Sequence, residues 1–260
     1  MWGAKGVLVR WWVGPGHAGV DFGETLGVIG GVECKIHFFV MSLPHSDAVF
    51  VKGYPAETTE AFCDGHVSAF GFFGGIPQSV LYDNTKIAVA RILGDRTRVR
   101  TQRFTELQSH YLFDDKFGRP ARGNDKGNVE GMVGYTRRNF MVPAPRFDSF
   151  DDLNAHLEAK CLARQSETLR GHDQTIGARL MADLDALMGL PVAEYEACPH
   201  SSTLATSISI VRVRSNVYSV PVVYAHHYGP LRVFVYQALI AFVNEIITLP
   251  TRSHSSPDIA

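Results

Sequence analysis

The spacing of apolar residues predicts a mixed α/β domain followed by a run of short strands. Strand-like sequence begins at Val20. Glu33 to Met41 (ECKIHFFVM) is rich in aromatic and β-branched residues, follows the turn pair Gly30-Gly31 and closes near Pro44. Ala48 to Tyr54 reads as a third strand, and the short turns between the three predict an antiparallel meander. Phe62, Ala69, Phe70 and Phe73 recur at helical spacing, which predicts a helix over Thr58 to Phe73 stopped by Gly74-Gly75. Gln78 to Tyr82 is a short strand running into Asp83. A second helix is expected over Arg103 to Asp115, with Phe104, Leu107 and Tyr111 on one face, and Lys116 to Pro120 as a last strand. A third helix is expected from about Asp125 to Phe140, with Val129, Met132, Val133, Thr136 and Phe140 toward the core. Gly131 and Gly134 inside it each cost about 1 kcal/mol relative to Ala, which suits a helix that something approaches closely.

Pro143 and Pro145 mark a boundary. Ser149 and Asp152 have capping-box spacing, and Phe150, Leu153, Leu157 and Cys161 form the stripe of a further helix. Arg164 to Gln174 is polar and loop-like, and a short helix over Ala178 to Leu187 ends at Gly189 and Pro191. After Ser201 come short alternating strands at Ser207–Arg214, Val217–Val220, Leu231–Tyr236 and Leu239–Thr248, which predict a small β-barrel or sandwich. The expected organisation is an atypical segment 1–18, a core 19–145, a helical linker 146–198 and a small β-barrel 199–260. The fold class is α/β. A mixed five-stranded sheet with flanking helices in this order is the layout of ribonuclease-H-like nucleases.

Bulk properties narrow the field only a little. The chain has 260 residues, 45% hydrophobic and 20% charged, with a net charge of −1, so nucleic-acid binding would need a local basic patch. Cys34, Cys63, Cys161 and Cys198 show no disulfide framework, which suits a reducing cytoplasm. No apolar run reaches membrane-spanning length.

Three acids stand where strands or helices are expected to end or begin: Asp21 (GVDFG), Asp83 (LYDN) and Glu130 (KGNVEG), 62 and 47 residues apart. Singly, each aspartate is more often a turn former than a catalyst, and the Lys126, Glu130 and Arg137 face resembles an ordinary solvated helix surface. In combination they have another meaning. Converging carboxylates repel one another unless cations sit between them, and all-oxygen donors favour two Mg²⁺ or Mn²⁺ ions in a phosphoryl-transfer site. Asp21 lies between Val20 and Phe22, so alternation sends it to the face opposite both. Basic residues crowd the same stretch: Lys86, Arg91, Arg96, Arg98, Arg100, Arg103, Arg119, Arg122, Lys126, Arg137 and Arg138. Such density in a near-neutral chain fits phosphate-backbone contact, expected here at Asn84, Lys86, Arg119, Arg122, Lys126, Arg137 and Arg138.

Other motifs carry less. Gly14-Pro15-Gly16-His17-Ala18-Gly19 matches a dinucleotide fingerprint by letters, but it precedes a strand and Pro15 lacks an N–H. Cys34 and His37 fall on opposite faces of a strand, and Cys63 with His66 makes only two ligands, so core cysteines are the better reading.

The segments VDFGE, GGVECKIHFFVMSLPHSDAVFVKGYPAETTEAF, FFGGIPQSVLYDNTK and RPARGNDKGNVEGMVGYTRRNF resemble the IstA-type transposases of bacterial insertion sequences, over about Gly19 to Thr248. The resemblance implies a DDE-type integrase catalytic core that cleaves and joins DNA at transposon ends. It carries Asp21, Asp83 and Glu130 over as metal ligands, with Mg²⁺ or Mn²⁺ as cofactor. It also implies an AAA+ ATPase helper and a homo-oligomer acting on DNA. Members begin with helix-turn-helix segments, so a chain truncated at both ends is expected. Asn128 stands where relatives tend to have Lys. The competing expectations are an inactive remnant that only binds DNA or a partner, and a structure-selective nuclease of the same fold.

Overall fold

The computed structural model describes residues 14–82, 89–92, 98–117, 127–198, 200–213, 216–242 and 245–250; for 89–92, 98–100, 127–130, 200 and 250 the description is of the backbone. The elements in chain order are β1 (His17–Ile29), β2 (Val32–Leu43), β3 (Ala48–Tyr54), α1 (Thr59–Phe73), β4 (Ser79–Tyr82), β5 (Val89–Ile92), β6 (Arg98–Arg100), α2 (Gln102–Tyr111), β7 (Asp114–Phe117), α3 (Gly127–Asn139), β8 (Arg146–Phe147), α4 (Phe150–Arg164) and α5 (Ile176–Ala186). Six further strands follow: β9 (His200–Leu204), β10 (Ile210–Val213), β11 (Asn216–Ser219), β12 (Tyr228–Val233), β13 (Gln237–Phe242) and β14 (Glu245–Pro250).

The first sheet has the order β3-β2-β1-β4-β7, with β8 paired to the end of β1. The meander β1-β2-β3 is antiparallel, whereas β4 and β7 run parallel to β1. This is the ribonuclease-H-like arrangement expected from the order of elements. Alternation along the strands divides the core. Val20, Phe39, Met41, Val80 and Tyr82 face α1, α2 and α5, while Ile36, Phe38, Val40 and Val51 face α3 and α4.

Local chemistry sets the helix ends. Thr58 caps α1 by accepting from the Ala61 amide, and Gly74 closes it at φ 70°. Ser149 caps α4 in the same way, through the Asp152 amide. The second helix ends earlier than its apolar stripe suggests, at Tyr111 rather than Asp115. Leu112 takes a left-handed conformation at φ 60°, and Asp114–Phe117 leaves to pair with β4.

Buried Asp183 on α5 accepts from the amides of Gly16 (2.9 Å) and Ser46 (3.1 Å), which ties the start of β1 to the β2–β3 turn. Arg179, one turn earlier, pairs with Asp47 at 3.2 Å and donates to the His45 carbonyl. At the sheet edge, the Asn154 side chain of α4 both accepts from the Gly53 amide (2.7 Å) and donates to its carbonyl (3.2 Å). That carbonyl also accepts from the Tyr236 hydroxyl at 2.6 Å, and the Tyr236 ring stacks on Tyr54.

Beyond α5 the strands differ from the expected barrel. A four-stranded antiparallel sheet, β14-β13-β12-β9, faces a separate hairpin, β10-β11, across a core of Val211, Val213, Leu231, Val233, Ile240 and Phe242. No hydrogen-bonded closure joins the two among the described residues. The single strand expected over Leu239–Thr248 is two strands, β13 and β14, paired antiparallel.

Candidate functional site

Asp21 lies in the middle of β1, opposite Val40 of β2, with Val20 and Phe22 turned to the other face as alternation predicts. It is partly exposed, and its Oδ1 accepts the Phe22 amide at 2.8 Å. In the parallel pairing of β1 with β4, Val20 is partnered by Tyr82, and the acid of interest is the next residue in each strand's sequence. The register is fastened at the far end, where the His17 ring meets Ser79 Oγ at 2.8 Å. Asp83 itself lies outside the described residues, as do Asn84, Lys86, Arg119, Arg122 and Lys126.

Helix α3 packs on the Asp21 face of β1. At Gly23, two residues after Asp21, a Cβ would stand 2.2 Å from Phe38 Cζ and 2.8 Å from Val133 Cγ1, so the helix approaches as closely as glycine permits. Arg137 Nε donates to the Glu24 carbonyl at 3.1 Å, and after α3 the chain continues in the same direction, with Val28 N donating to Pro145 O at 2.9 Å. Residues earlier in α3 therefore lie toward the earlier part of β1. The backbone of Glu130 belongs to α3, three residues before Val133 and about 4.5 Å back along the axis, on the side of Asp21. The expected basic pair Arg137 and Arg138 is exposed in the last turn of this helix. Arg103, on α2, is paired with Glu106 at 3.1 Å.

Of the three expected ligands, Asp21 alone has a described side chain, and no group of three His, Cys, Asp or Glu suited to a metal forms among the described residues. The donor chemistry is nonetheless that of a hard cation. Asp21 offers carboxylate oxygens at a partly open position, and Cys63 and His66 are buried in the opposite core.

The structure also explains why Cys63 and His66 are poor metal ligands. Burial pushes the Cys63 thiol up to about 12. His66 Nδ1 bonds the Phe62 carbonyl (2.7 Å) and Nε2 bonds the Tyr82 hydroxyl (2.8 Å), so both ring nitrogens are occupied. Its link to the strand that leads into Asp83 is absent from the sequence reading.

Burial lowers the His66 pKa from 6.5 to about 4, with the Phe62 bond opposing. The unfolded chain therefore binds this proton more readily. Stability is full above pH 6.5 and declines as pH falls from there toward 4. Urea unfolding at pH 7.5 and pH 5 is expected to differ by about 2 kcal/mol from this group, and the difference to shrink in His66→Gln.

The comparisons with known proteins bear on the same region. No family model matches the chain. It is 36% identical over 222 residues to "Transposase for insertion sequences IS1326/IS1353" from Pseudomonas aeruginosa, covering 85% of this chain and 44% of that protein. It is 32% identical over 260 residues to a transposase from Aminobacter aminovorans, covering 97% of this chain and 51% of that one. The chain thus spans about half the length of the curated relatives it matches. Among solved structures, it is similar to a chain of a simian T-cell lymphotropic virus intasome, with 15% identity, TM-score 0.48 and coverage of 95% of this chain and 80% of that one. It is also similar to the HTLV-2 integrase catalytic core domain solved with magnesium, with 16% identity, TM-score 0.44 and coverage of 66% and 99%.

Proposed function

We propose that this chain, similar along most of its length to insertion-sequence transposases, carries a DDE-type polynucleotidyl transferase core that cleaves transposon-end DNA and joins it to a target. The supporting observation is the placement of Asp21 on the face of β1 against which α3 packs, with β4 in register beside it and leading into Asp83. Asp21, Asp83 and Glu130 would hold two Mg²⁺ or Mn²⁺ ions. When bound, these ions supply Lewis-acid charge at the scissile phosphodiester.

The chain's own residues orient and exclude. The Phe22 amide holds one Asp21 oxygen in place, and Phe38 and Val133 keep the floor of the site apolar. Arg137 and Arg138, with Asn84, Lys86, Arg119, Arg122 and Lys126, would contact the DNA backbone. The core would span 19–145, followed by a linker and a C-terminal barrel-like unit. Its partners would be DNA, further copies of itself and an AAA+ ATPase helper.

A strand-transfer assay with a pre-cleaved end of the cognate element, target DNA and Mg²⁺ tests the proposal. A joined product is expected, and its loss in Asp83→Asn. Joining that survives Asp83→Asn would sink the assigned mechanism, whereas no joining by the unmodified chain would favour a binding-only role.

A further inference from the structure

We propose that the turn between β12 and β13 is a latch with Tyr236 as its catch, and that its release lets the C-terminal strands swing as a unit away from the first sheet. The proposal concerns this joint alone and does not depend on the reaction that the β1 face supports.

The C-terminal strands are attached to the core at two places. One is the chain itself. After α5, Met188 exchanges backbone hydrogen bonds with Ile76, the Ala193 carbonyl accepts from His110 Nε2 at 2.9 Å, and the Tyr195 amide donates to the Tyr111 hydroxyl at 3.2 Å. The connection is therefore tied down as far as Tyr195, and β9 begins at His200. A pivot has to fall in the few residues between.

The other attachment is the turn at Phe234–Gln237. The Tyr236 hydroxyl donates to the Gly53 carbonyl at 2.6 Å and accepts from the Asn154 side-chain amide at 3.1 Å. Its ring lies 6.0 Å from that of Tyr54, within 13° of parallel, and 5.8 Å from that of Phe150. The seat on the core side is itself fixed. Tyr54 is fully buried, and its hydroxyl donates to Asp64 at 2.6 Å, which also accepts from Lys52 at 2.7 Å. Burial pushes the Tyr236 phenol well up, so the hydroxyl keeps its proton and goes on donating through the neutral range.

Around the catch the joint is open. A cavity of about 530 Å³ lies beside it, with Lys52, Asp64, Asp151, Asn154, Glu158 and Tyr236 in its lining. A close-packed joint holds through its whole area, whereas this one is polar and has room for water. The Arg232–Glu196 pair at 3.0 Å is half-exposed and links the unit to the connection rather than to the core, so it contributes little to docking. Val235 adds apolar contact with the first core. Relative motion is the default for a polar, open joint, and Tyr236 is the residue that opposes it.

The test is the distance between nitroxide labels on Lys160→Cys in α4 and Thr248→Cys in β14, both exposed, in a Cys34→Ser chain. Double electron–electron resonance reads that distance, with melting temperatures recorded in parallel. One narrow distance is expected while Tyr236 is present, and Tyr236→Ala is expected to broaden the distribution about twofold in a chain that still folds. Tyr236→Phe keeps the stacked ring, and the Gly53 carbonyl keeps its Asn154 donor, so no backbone group is orphaned. It is expected to broaden the distribution less, and it carries the test if the alanine variant does not fold. Broadening in a folded alanine variant alone assigns the hold to the stacked ring of Tyr236. Two results overturn the proposal. A distribution already broad with Tyr236 in place means that no latch exists, and one that stays narrow at the same distance in the variants means that Val235 and its neighbours hold the unit unaided.

Discussion

Asp21→Asn is expected to lower strand transfer about a thousandfold, the size of effect that follows from several kcal/mol of lost charge stabilisation at about 1.4 kcal/mol per decade. The substitution is chosen because it changes charge and little else. The Phe22 amide bonds Asp21 Oδ1 at 2.8 Å, and an asparagine carbonyl oxygen can accept that bond unchanged. The flanking residues Val20 and Phe22 remain in the opposite core. Fold and melting temperature are therefore expected to persist while turnover collapses, with gel-resolved joining products and thermal unfolding as the paired measurements. A variant that retained a tenth or more of wild-type joining would show that Asp21 holds no essential cation.

Gly23→Ala is expected to have the largest effect on the fold. The new methyl would meet Phe38 Cζ at 2.2 Å and Val133 Cγ1 at 2.8 Å, from the sheet and from α3 at once. Neither neighbour can withdraw easily. Phe38 is fully buried and Val133 nearly so, within one close-packed cluster that also holds Phe140, Leu153 and Leu157. Overpacking of this kind costs about 1–3 kcal/mol, and at the upper end the melting temperature of a chain this size falls by about 6–12 °C. Relief requires α3 to lift from β1, and α3 carries Glu130. Activity is therefore expected to fall more than stability predicts at a temperature where the variant is still folded. A variant with unchanged melting temperature would mean that the approach at Gly23 is looser than the structure has it.

The sequence made the first sheet and its helices legible because strong local signals agreed there. Gly30-Gly31, the aromatic run Glu33–Met41, the Gly74-Gly75 stop and the Ser149 cap each specified a boundary without tertiary information. Two features depended on contacts between distant residues and did not show. The end of α2 at Tyr111 is set by the pairing of Asp114–Phe117 with β4, which local propensity cannot register. The weakly patterned β9 (His200–Leu204) is a strand because it lies beside Tyr228–Arg232. At the site, the face occupied by Asp21 could be read from Val20 and Phe22 by alternation alone. The close approach at Gly23 could not, since it requires Val133 to arrive from more than a hundred residues away. His66 was visible as a residue but not as a partner, because the hydrogen bond that it accepts from Tyr82 leaves no trace in spacing.

The side-chain amide of Asn154 at Gly53 has a consequence for how copies of this chain can meet. It donates and accepts where the next β-strand would, and Tyr236 reinforces it from the C-terminal sheet. A strand added along β3 would first have to displace both. The sheet is thus closed to growth at that border: a strand arriving there, from this chain or another, finds the backbone groups of Gly53 already taken.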